Sequence, residues 1–248
     1  MTLSNITSYP WPKWRQLLDS GHEMLVLPTG AIEQHGPHLP VNTDLVIVEA
    51  VCRQACENAR VPTLPPLSFT VSLGHTAKWP GTFSLSHETF ISTIEDLSAW
   101  AERTGWKKML LVNSHFGNDA SLRVAIDKVR TARMGHFQIG HCNTYALTNA
   151  IWDAFIADAE DLHANKAETD LMLHLAPDTV DMAAVEDDPD RTGDHVFSYA
   201  VAQTSLNGVT GMPSQGSAEA GKRLFLEMTE ALTKMLVRAK CETSPLSP

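Results

Sequence analysis

The sequence predicts an α/β fold in which a mostly parallel central sheet is covered by helices on both faces. Two observations lead to this prediction. Short apolar runs of strand length alternate with longer amphipathic segments, as in strands joined by crossover helices. The run Lys108–Asn113 (KMLLVN) is apolar without alternation, which is typical of a strand buried on both faces. Because no repeat, low-complexity tract or linker interrupts the pattern, residues 1–248 are expected to form one domain.

The first elements along the chain are a helix and a strand. A helix is predicted over Trp11–Ser20, because Pro12 falls in its first turn, where proline is favoured, and a glycine follows. Met24–Pro28 (MLVLP) is an apolar run of strand length, and a turn is expected directly after it at residues 29–30.

A helix, an irregular segment and a second helix come next. The first of these helices is predicted over Leu45–Arg60, with Thr43 or Asp44 as its N-cap. Val61–Phe69 contains three prolines, so it is at best an irregular or edge strand. Ser86–Thr104 is the clearest amphipathic helix of the first half of the chain.

The second half of the chain continues the alternation and ends in a long helix. The elements predicted after the central apolar run are a helix at Asp119–Met134, a strand at Phe137–Tyr145, helices at about 149–160 and 166–176, and a closing helix at Ser217–Lys240. Ser217 is expected to cap the closing helix. The acidic stretch 186–194 (EDDPDRTGD) is expected to form a surface loop.

Composition and charge argue against several classes of protein. The chain is 43% hydrophobic and 19% charged, as in ordinary globular proteins. Its formal charge of −10, without any cluster of Lys or Arg, argues against a nucleic-acid partner. The apolar runs are too short to span a bilayer, and the N-terminus does not resemble a signal peptide, so no membrane partner is expected. Four scattered cysteines do not suggest a disulfide framework, so a cytoplasmic location is expected.

Two predicted strands run into polar segments that carry the residues of greatest chemical interest. MLVLP is followed by TGAIEQHGPHLPVNTD (29–44), and KMLLVN is followed by SHFGN (114–118). In open α/β sheets, binding sites lie beyond the carboxyl ends of the strands. If the two strands are parallel, both segments leave the same edge of the sheet and can converge there.

The first polar segment combines carboxylates and imidazoles within a dozen residues. Glu33 and His35 are two residues apart, so on an extended backbone their side chains point to the same side. His38 follows, and Asp44 comes where the next helix begins. Spacing alone leaves two interpretations open: a polar surface loop, or a site for a divalent ion such as Zn²⁺ or Mn²⁺, which suits carboxylate and imidazole ligands.

The second and third candidates are His115 and the pair His163 and Glu168. His115 follows a buried strand beside a glycine, so its imidazole would be free at the sheet edge; a hydrogen-bonded surface histidine is the alternative. His163 precedes a predicted helix, and Glu168 lies near the first turn of that helix. A glutamate at this position is also favoured by the helix dipole alone, without any role as a ligand.

Taken together, these segments resemble the creatininase (creatinine amidohydrolase) family. The resemblance covers nearly the whole chain, and its most specific part is the string EQHGPHLP followed by TD. The matching motifs are TGAIEQHGPHLPVNTD (29–44), WPGTFSL (79–85), NSHFGN (113–118), LHANKAETDLML (162–173) and GMPSQGSAEAGKRL (211–224). The resemblance implies a three-layer α/β/α sandwich with a central, mostly parallel sheet.

The resemblance also implies two divalent ions per subunit, Zn²⁺ and/or Mn²⁺, with Fe²⁺ also acceptable to such ligands. The expected ligands are Glu33, Asp44 and His115 for one ion, and His35, Asp44 and Glu168 for the other. Members similar to creatininase itself have a glutamate two residues after the histidine of the second motif. This chain has Gly117 there, as do relatives with an NGHGGN motif, and Glu168 is therefore the expected replacement ligand.

Residues for proton transfer and for substrate binding follow from the same resemblance. His163 matches the family's proton-transferring histidine and, with Glu168, is expected to be catalytic. The expected substrate-binding residues are Trp152, Phe116, Gly117, Ser72 and Trp79. Phe116 stands where creatininase has a pocket tyrosine, and a second pocket tryptophan has no counterpart, so creatinine itself is a poor substrate prediction. His38 is expected to be buried and hydrogen-bonded rather than to bind metal.

These assignments predict a dinuclear, metal-dependent amidohydrolase. It is expected to cleave the C–N bond of a small amide, cyclic amide or formamide with a metal-bridging hydroxide, while His163 relays a proton to the leaving nitrogen. The alternatives are a peptidase-like member that acts on a short modified peptide, and a non-catalytic metal-binding protein. A serine hydrolase is not indicated, because no G-x-S-x-G motif occurs. A homo-oligomer, often a hexamer in the family, is expected from the resemblance.

Overall fold

The computed structural model describes residues 3–76 and 78–246, and among them three parallel strands form the central sheet. The strands are β1 (Met24–Thr29), β2 (Lys108–Asn113) and β3 (Gln138–Asn143), hydrogen-bonded in the order β1-β2-β3. Met24 pairs with Lys108, which in turn pairs with Gln138, so the three carboxyl ends lie at one edge of the sheet. The ends of the expected domain 1–248, and residue 77, lie outside the described residues.

Helices surround this sheet. In the part of the chain that the structure describes, the α-helices are α1 (Trp11–Asp19), α2 (Thr43–Ala59), α3 (His87–Arg103), α4 (Asp119–Ala132), α5 (Asn149–Phe155), α6 (Lys166–Leu175), α7 (Val201–Thr204) and α8 (Ala218–Cys241). Short 3₁₀ turns lie between them, including one at Leu73–His75 and one at Phe116–Asn118. None of the helices within residues 3–76 and 78–246 is long and apolar enough to cross a membrane.

Alternate residues of the strands point into two separate hydrophobic cores. Met24 and Val26 of β1 belong to one core, together with residues of α2, α6 and α8. Leu25 and Leu27 belong to the other core, together with residues of α1, α3 and α4. The sheet is therefore the middle layer between two layers of helices, and the predicted α/β fold with helices on both faces is confirmed.

The predicted cap of α2 is wrong, whereas that of α8 is confirmed. Neither Thr43 nor Asp44 caps α2, because the helix begins at Thr43 and Asn42 precedes it as the N-cap. Asp44 instead stands in the first turn with a buried side chain, and this buried carboxylate lies near the sheet edge. Ser217 caps α8, since its hydroxyl accepts a hydrogen bond from the Ala220 N–H at 3.2 Å.

The helix predicted over 149–160 is too long, because α5 ends at Phe155. The Asp158 carboxylate accepts hydrogen bonds from the main-chain N–H groups of Lys166 (3.0 Å) and Met212 (2.6 Å). These bonds tie the residues after α5 to the start of α6 and to a distant loop. A helical continuation would lose them, so local helix preference is overridden here by long-range hydrogen bonds.

The acidic stretch 186–194 is not simply a surface loop, because Asp188 within it is buried. The Asp188 main chain pairs with Gly211, and its carboxylate accepts from the Ser205 hydroxyl (2.9 Å) and the Leu206 N–H (2.7 Å). The segment Val61–Phe69 is irregular, as predicted, and lies along β1 through isolated parallel bridges. Its bridges join Thr63 to Val26 and Leu67 to Thr29.

The close packing of α8 on α6 gives a testable prediction. A Cβ added at Gly221 would clash with the main-chain carbonyl of Asp170. We therefore expect Gly221→Ala to lower the free energy of unfolding by about 2 kcal/mol, although alanine is the better helix former. Urea unfolding measures this change. Gly140→Ala in β3 is the control and should be nearly neutral, because a Cβ there would make only an ordinary 3.7 Å contact with Leu110. Equal losses in both variants would contradict the prediction.

Candidate metal centre

The residues of the expected ligand set meet at the carboxyl edge of the sheet. Glu33 lies four residues after β1, and His115 lies two residues after β2. Asp44 stands in the first turn of α2, and Glu168 stands in the first turn of α6. Together with His35, these residues form a buried group that we call the five-residue cluster.

Short distances join the members of the five-residue cluster. His115 lies between two carboxylates: its Nε2 is 3.3 Å from Glu33 Oε2, and its Nδ1 is 3.1 Å from Asp44 Oδ2. His35 Nε2 is 3.7 Å from Asp44 Oδ1 and 3.9 Å from Glu168 Oε1. Asp44 is thus the carboxylate that both imidazoles share.

The cluster contains two groups of three possible metal ligands, and in each group one atom from every residue lies within 4.8 Å of the other two. The groups are Glu33, Asp44 and His115, and His35, Asp44 and Glu168. The resemblance divides the ligands in the same way, with Asp44 in both groups. A third group of this kind joins Glu33 and His35 to His163.

Buried oxygens without hydrogen-bond partners indicate that cations fit this cluster. Within the described residues, both carboxylate oxygens of Glu33, Oδ2 of Asp44 and Oε2 of Glu168 have no hydrogen-bond partner. A buried carboxylate is costly unless it is paired or binds a metal. Three carboxylates and two imidazoles form a donor set that Zn²⁺, Mn²⁺ and Fe²⁺ accept.

The charge of the cluster is balanced in part by protons on its imidazoles. Burial opposes protonation of His35, but Asp44 and the other two carboxylates of the cluster together outweigh burial and raise the pKa of His35 to about 10. Burial likewise opposes protonation of His115, but Glu33 and Asp44 raise its pKa to about 9. Burial raises the pKa of Glu33 to about 7 and also raises the pKa of Glu168. A cation that bound to these imidazoles would have to displace their protons.

Two asparagines hold the turn that carries His115. The Asn113 side chain accepts from the His115 N–H at 3.2 Å and donates to the His115 carbonyl at 2.7 Å. The Asn118 side chain donates to Asn113 at 3.1 Å and to the main chain just after β1 at 3.0 Å. His115 Nε2 donates to the Val71 carbonyl at 2.8 Å, so Nδ1 is the nitrogen that faces Asp44. The polar residues of the NSHFGN motif thus orient its histidine.

The atoms packed against Gly117 leave no room for a side chain at this position. A Cβ at this position would lie 2.5 Å from His115 Nε2 and 2.5 Å from the Val71 carbonyl oxygen. A glutamate here would therefore displace His115 from its hydrogen bond. Glu168 reaches the cluster from α6 instead, with its Oε1 at 3.9 Å from His35 Nε2.

We expect Gly117→Ala to weaken Mn²⁺ binding by roughly 10- to 100-fold, because the added methyl group must move His115, a candidate ligand, off its hydrogen-bond partner. Calorimetric titration of the metal-depleted protein with Mn²⁺ measures the affinity. Gly74→Ala, in the neighbouring 3₁₀ turn, is the control, since nothing lies within 4 Å of a Cβ there. If the two variants bind Mn²⁺ equally well, this account of Gly117 is wrong.

The start of α6 positions His163 and Glu168. Asn165 caps this helix, and its side-chain oxygen accepts from the Glu168 N–H at 3.2 Å. His163 pairs with Thr210 through both of its main-chain groups. Between them, Ala164 has a φ of 49°, the left-handed conformation that favours glycine. This strained residue turns the chain from the His163 pairing into the helix.

The ring of His163 faces Glu33 with its Nδ1 atom. His163 Nε2 donates to the main-chain carbonyl of Gln34 at 2.6 Å, so Nδ1 is left facing Glu33 Oε1 at 3.4 Å. Burial lowers the pKa of His163 well below its usual value, so this imidazole is neutral. A neutral ring in this tautomer can accept a proton on Nδ1.

Two aromatic residues expected to contact substrate, Phe116 and Trp152, belong to one aromatic group, and Phe116 directly follows His115 in the chain. Phe116 stacks on Tyr145 with ring centroids 3.8 Å apart, and the Trp152 ring lies 6.3 Å from both. Trp152 is 37% exposed, so part of this aromatic group is open to solvent. Tyr145 was not predicted, because the sequence marks it only as the end of a strand.

Of the two remaining residues expected to bind substrate, the structure brings one to the cluster. The Ser72 hydroxyl is buried and lies 3.2 Å from His115 Nε2. Trp79 is contacted by the Lys78 Nζ atom, 4.6 Å from its ring centroid. Among the contacts of the described residues, none links Trp79 to the five-residue cluster.

Two further histidines lie near the cluster, and only one of them was predicted. His38 is buried, with its Nε2 at 2.9 Å from the Thr169 hydroxyl, and burial lowers its pKa to about 4. His75 was missed: its Nε2 is 3.5 Å from Glu33 Oε1, and its ring centroid is 4.2 Å from that of His163. No motif marked His75, although it lies between two residues that were expected to bind substrate.

Comparisons with known proteins find similarity over nearly the whole chain. The sequence model named creatininase, described as creatinine amidohydrolase, matches residues 7–236. The creatinine amidohydrolase of Pseudomonas putida is 29% identical over 242 residues, which cover 88% of this chain and 90% of that protein. The mycofactocin precursor peptide peptidase of Mycolicibacterium smegmatis is 28% identical over 226 residues, which cover 87% of this chain and 85% of that protein.

Solved structures share the fold. The crystal structure of a creatinine amidohydrolase (creatininase) matches with a TM-score of 0.85 and 25% identity, and the match covers 98% of this chain and 100% of that chain. A structure named Creatininase Mn matches with a TM-score of 0.83 and 25% identity, and covers 96% of this chain and 99% of that chain. The three-layer sandwich implied by the sequence motifs is therefore confirmed.

Proposed function

Since the chain belongs to the creatininase family, we propose that its five-residue cluster hydrolyses the C–N bond of a small amide, cyclic amide or formamide. Members of this family are metal-dependent amidohydrolases, and this chain is one of them. The proposal depends above all on one observation, the two groups of three ligand residues that share Asp44 at the sheet edge.

The proposed site holds two divalent ions, Zn²⁺ and/or Mn²⁺, with Fe²⁺ as a further possibility. Each group of three ligand residues would hold one ion, and Asp44 would bridge the two. Such ions, when bound, supply a nucleophilic hydroxide near neutral pH and polarise the substrate carbonyl. The three buried carboxylates support this assignment, because two divalent ions would offset their negative charge. The similarity to the structure named Creatininase Mn supports manganese.

His163 is proposed to move the proton. Its Nε2–H is held by the Gln34 carbonyl, so Nδ1 is free to take up a proton from the attacking water and to deliver it to the leaving nitrogen. Burial keeps the ring neutral before the reaction, which is the form that accepts a proton. The exposed edge of the aromatic group formed by Phe116, Tyr145 and Trp152 is proposed to contact a small, planar amide substrate.

The proposed setting of the enzyme is a cytoplasmic homo-oligomer. All four cysteines are unpaired, which is usual for proteins of a reducing compartment. A hexamer is proposed from the family resemblance alone.

A second candidate function is the cleavage of a short modified peptide. Gly117 favours it, because relatives with an NGHGGN motif have glycine at the same place. The similarity to the mycofactocin precursor peptide peptidase supports it further. In that case Glu168 would complete the ligand set as before, and only the substrate would differ.

An activity screen of the protein reconstituted with Mn²⁺ or Zn²⁺ tests these proposals. The substrates are lactams, formamides, hydantoins and short peptides, and His163→Ala is the control variant. Turnover of a small amide, lost in the control, supports the main proposal, whereas turnover of peptides alone supports the second candidate. A protein that binds two ions per chain and turns over none of these substrates would favour the non-catalytic alternative.

A further inference from the structure

Gln34 lies between two ligand residues of the five-residue cluster, and its polar atoms are fully used. Its side-chain Oε1 accepts from the Gly36 N–H at 3.0 Å. Its Nε2 donates to the Gly208 carbonyl at 3.2 Å and lies 3.1 Å from His75 Nδ1. Its main-chain carbonyl accepts from His163 Nε2 at 2.6 Å. The two histidines that face Glu33 Oε1, His75 and His163, are therefore both held by this one buried residue.

The surroundings of Gln34 fix which way its amide points. Gly36 offers an N–H, so the atom facing it must be the oxygen; Gly208 offers a carbonyl, so the atom facing that must be the nitrogen. The Gly208 loop is itself held, because the Gly208 N–H donates to the Ser205 hydroxyl at 2.8 Å. The amide cannot turn over without placing like groups against each other at both ends.

The fixed amide determines the tautomer of His75. Because an N–H of Gln34 Nε2 points at His75 Nδ1, that nitrogen must be the acceptor, and the proton of the neutral ring must lie on Nε2. His75 Nε2 is the atom that faces Glu33 Oε1, at 3.5 Å. Burial lowers the pKa of His75 to about 3, which agrees with a neutral ring.

Glu33 Oε1 thus faces two unlike imidazole nitrogens. His75 Nε2, at 3.5 Å, carries the hydrogen of its ring, whereas His163 Nδ1, at 3.4 Å, carries a lone pair. The two rings lie against each other with centroids 4.2 Å apart. One histidine thus presents an N–H to Glu33 Oε1, and the other presents a nitrogen that can accept a proton.

We propose that Gln34 is a positioning residue that holds His75 in its Nε2–H tautomer, so that His75 presents an N–H rather than a lone pair to Glu33 beside the proton-accepting His163. The inference rests on the proposed function for its kinetic consequence, but its structural content does not. The partial positive charge of this N–H would attract Glu33 Oε1 and so help to orient the Glu33 carboxylate.

Nitrogen-15 magic-angle-spinning NMR of the histidine-labelled, Zn²⁺-loaded protein tests the tautomer directly. We expect His75 to have an unprotonated Nδ1 and a protonated Nε2. The signals of His75 are assigned as those that disappear in His75→Phe. In Gln34→Met, which keeps the length of the side chain but removes its N–H, we expect His75 to show both tautomers. A protonated Nδ1 in the unaltered protein, or an unchanged tautomer in Gln34→Met, would overturn the proposal whether or not a substrate has been found.

Kinetics with a substrate from the activity screen test the consequence. We expect Gln34→Met and His75→Phe each to lower kcat roughly 10- to 100-fold, with little change in KM and in metal content. The double variant should be no slower than His75→Phe alone, because Gln34 acts through His75. Additive losses would contradict the proposal. Gln54→Met, an exposed site on α2, is the matched control and should leave kcat unchanged.

Discussion

Asp44→Ala is expected to abolish the binding of both divalent ions of the proposed site and to lower turnover by about 1,000-fold or more. One candidate ligand group contains His115 and the other contains His35, and Asp44 is the residue that these two groups share. Without it each group would retain two ligands, and the hydroxide and carbonyl polarisation that metal ions supply would be lost. Elemental analysis after dialysis measures the metal content, and Mn²⁺-dependent stabilisation against heat provides a second measure.

Asp127→Ala is the matched control for this variant. Asp127 is an exposed carboxylate on α4 whose ion pair with Arg130 lies on the surface, so its removal should change neither metal content nor turnover. If Asp44→Ala retained two ions per chain, the assignment of Asp44 as the shared ligand would be wrong. If Asp44→Ala lost only one ion, Asp44 would bind a single ion, and the proposal that it bridges two ions would be wrong.

His163→Ala is expected to separate catalysis from metal binding. We expect kcat to fall by roughly 100- to 10,000-fold, the usual contribution of a general acid or base, while the protein keeps its metal ions. The reason is geometric: His163 Nδ1 lies 3.4 Å from Glu33 Oε1, but His163 belongs to neither of the two ligand groups that share Asp44. Steady-state kinetics and metal analysis of the same sample measure both quantities.

The outcome of this experiment also decides between two roles for His163. Because Glu33, His35 and His163 form a third possible ligand group, a loss of metal in His163→Ala would identify His163 as a ligand instead of a proton carrier. His136→Ala is the control, since His136 is exposed and precedes β3, at the amino end of the strand and not at the carboxyl edge that carries the cluster. That control should keep both kcat and metal content.

The layers of the fold could be predicted because their signals are local. β2 has the bounds Lys108–Asn113 that its apolar run predicts, and the Ser217 cap of α8 follows from residue type alone. The cap of α2 could not be predicted in this way. A Thr-Asp pair before an apolar helix looks like a cap, but here Asn42 takes that place and Asp44 turns into the site.

The contact of His75 with Glu33 and His163 could not be predicted, because it depends on packing between distant segments. The 3₁₀ turn at Leu73–His75 packs against α7, which lies more than 120 residues later in the chain. The role of Gly117 was visible in the sequence only as a difference from the members similar to creatininase itself, which have a glutamate there. The physical reason is that His115 and the Val71 carbonyl already fill this space, and only the fold brings them to Gly117.

The ligand residues of the cluster are spread along the chain from position 33 to position 168. No short fragment could bring them together, so cations could be captured only after β1, β2 and α6 have docked. Ions that bind so late would stabilise the native state without assisting the folding transition state. Bound metal would then act mainly by lowering the rate of unfolding, and hence the rate of heat inactivation. The rate of refolding would be unchanged.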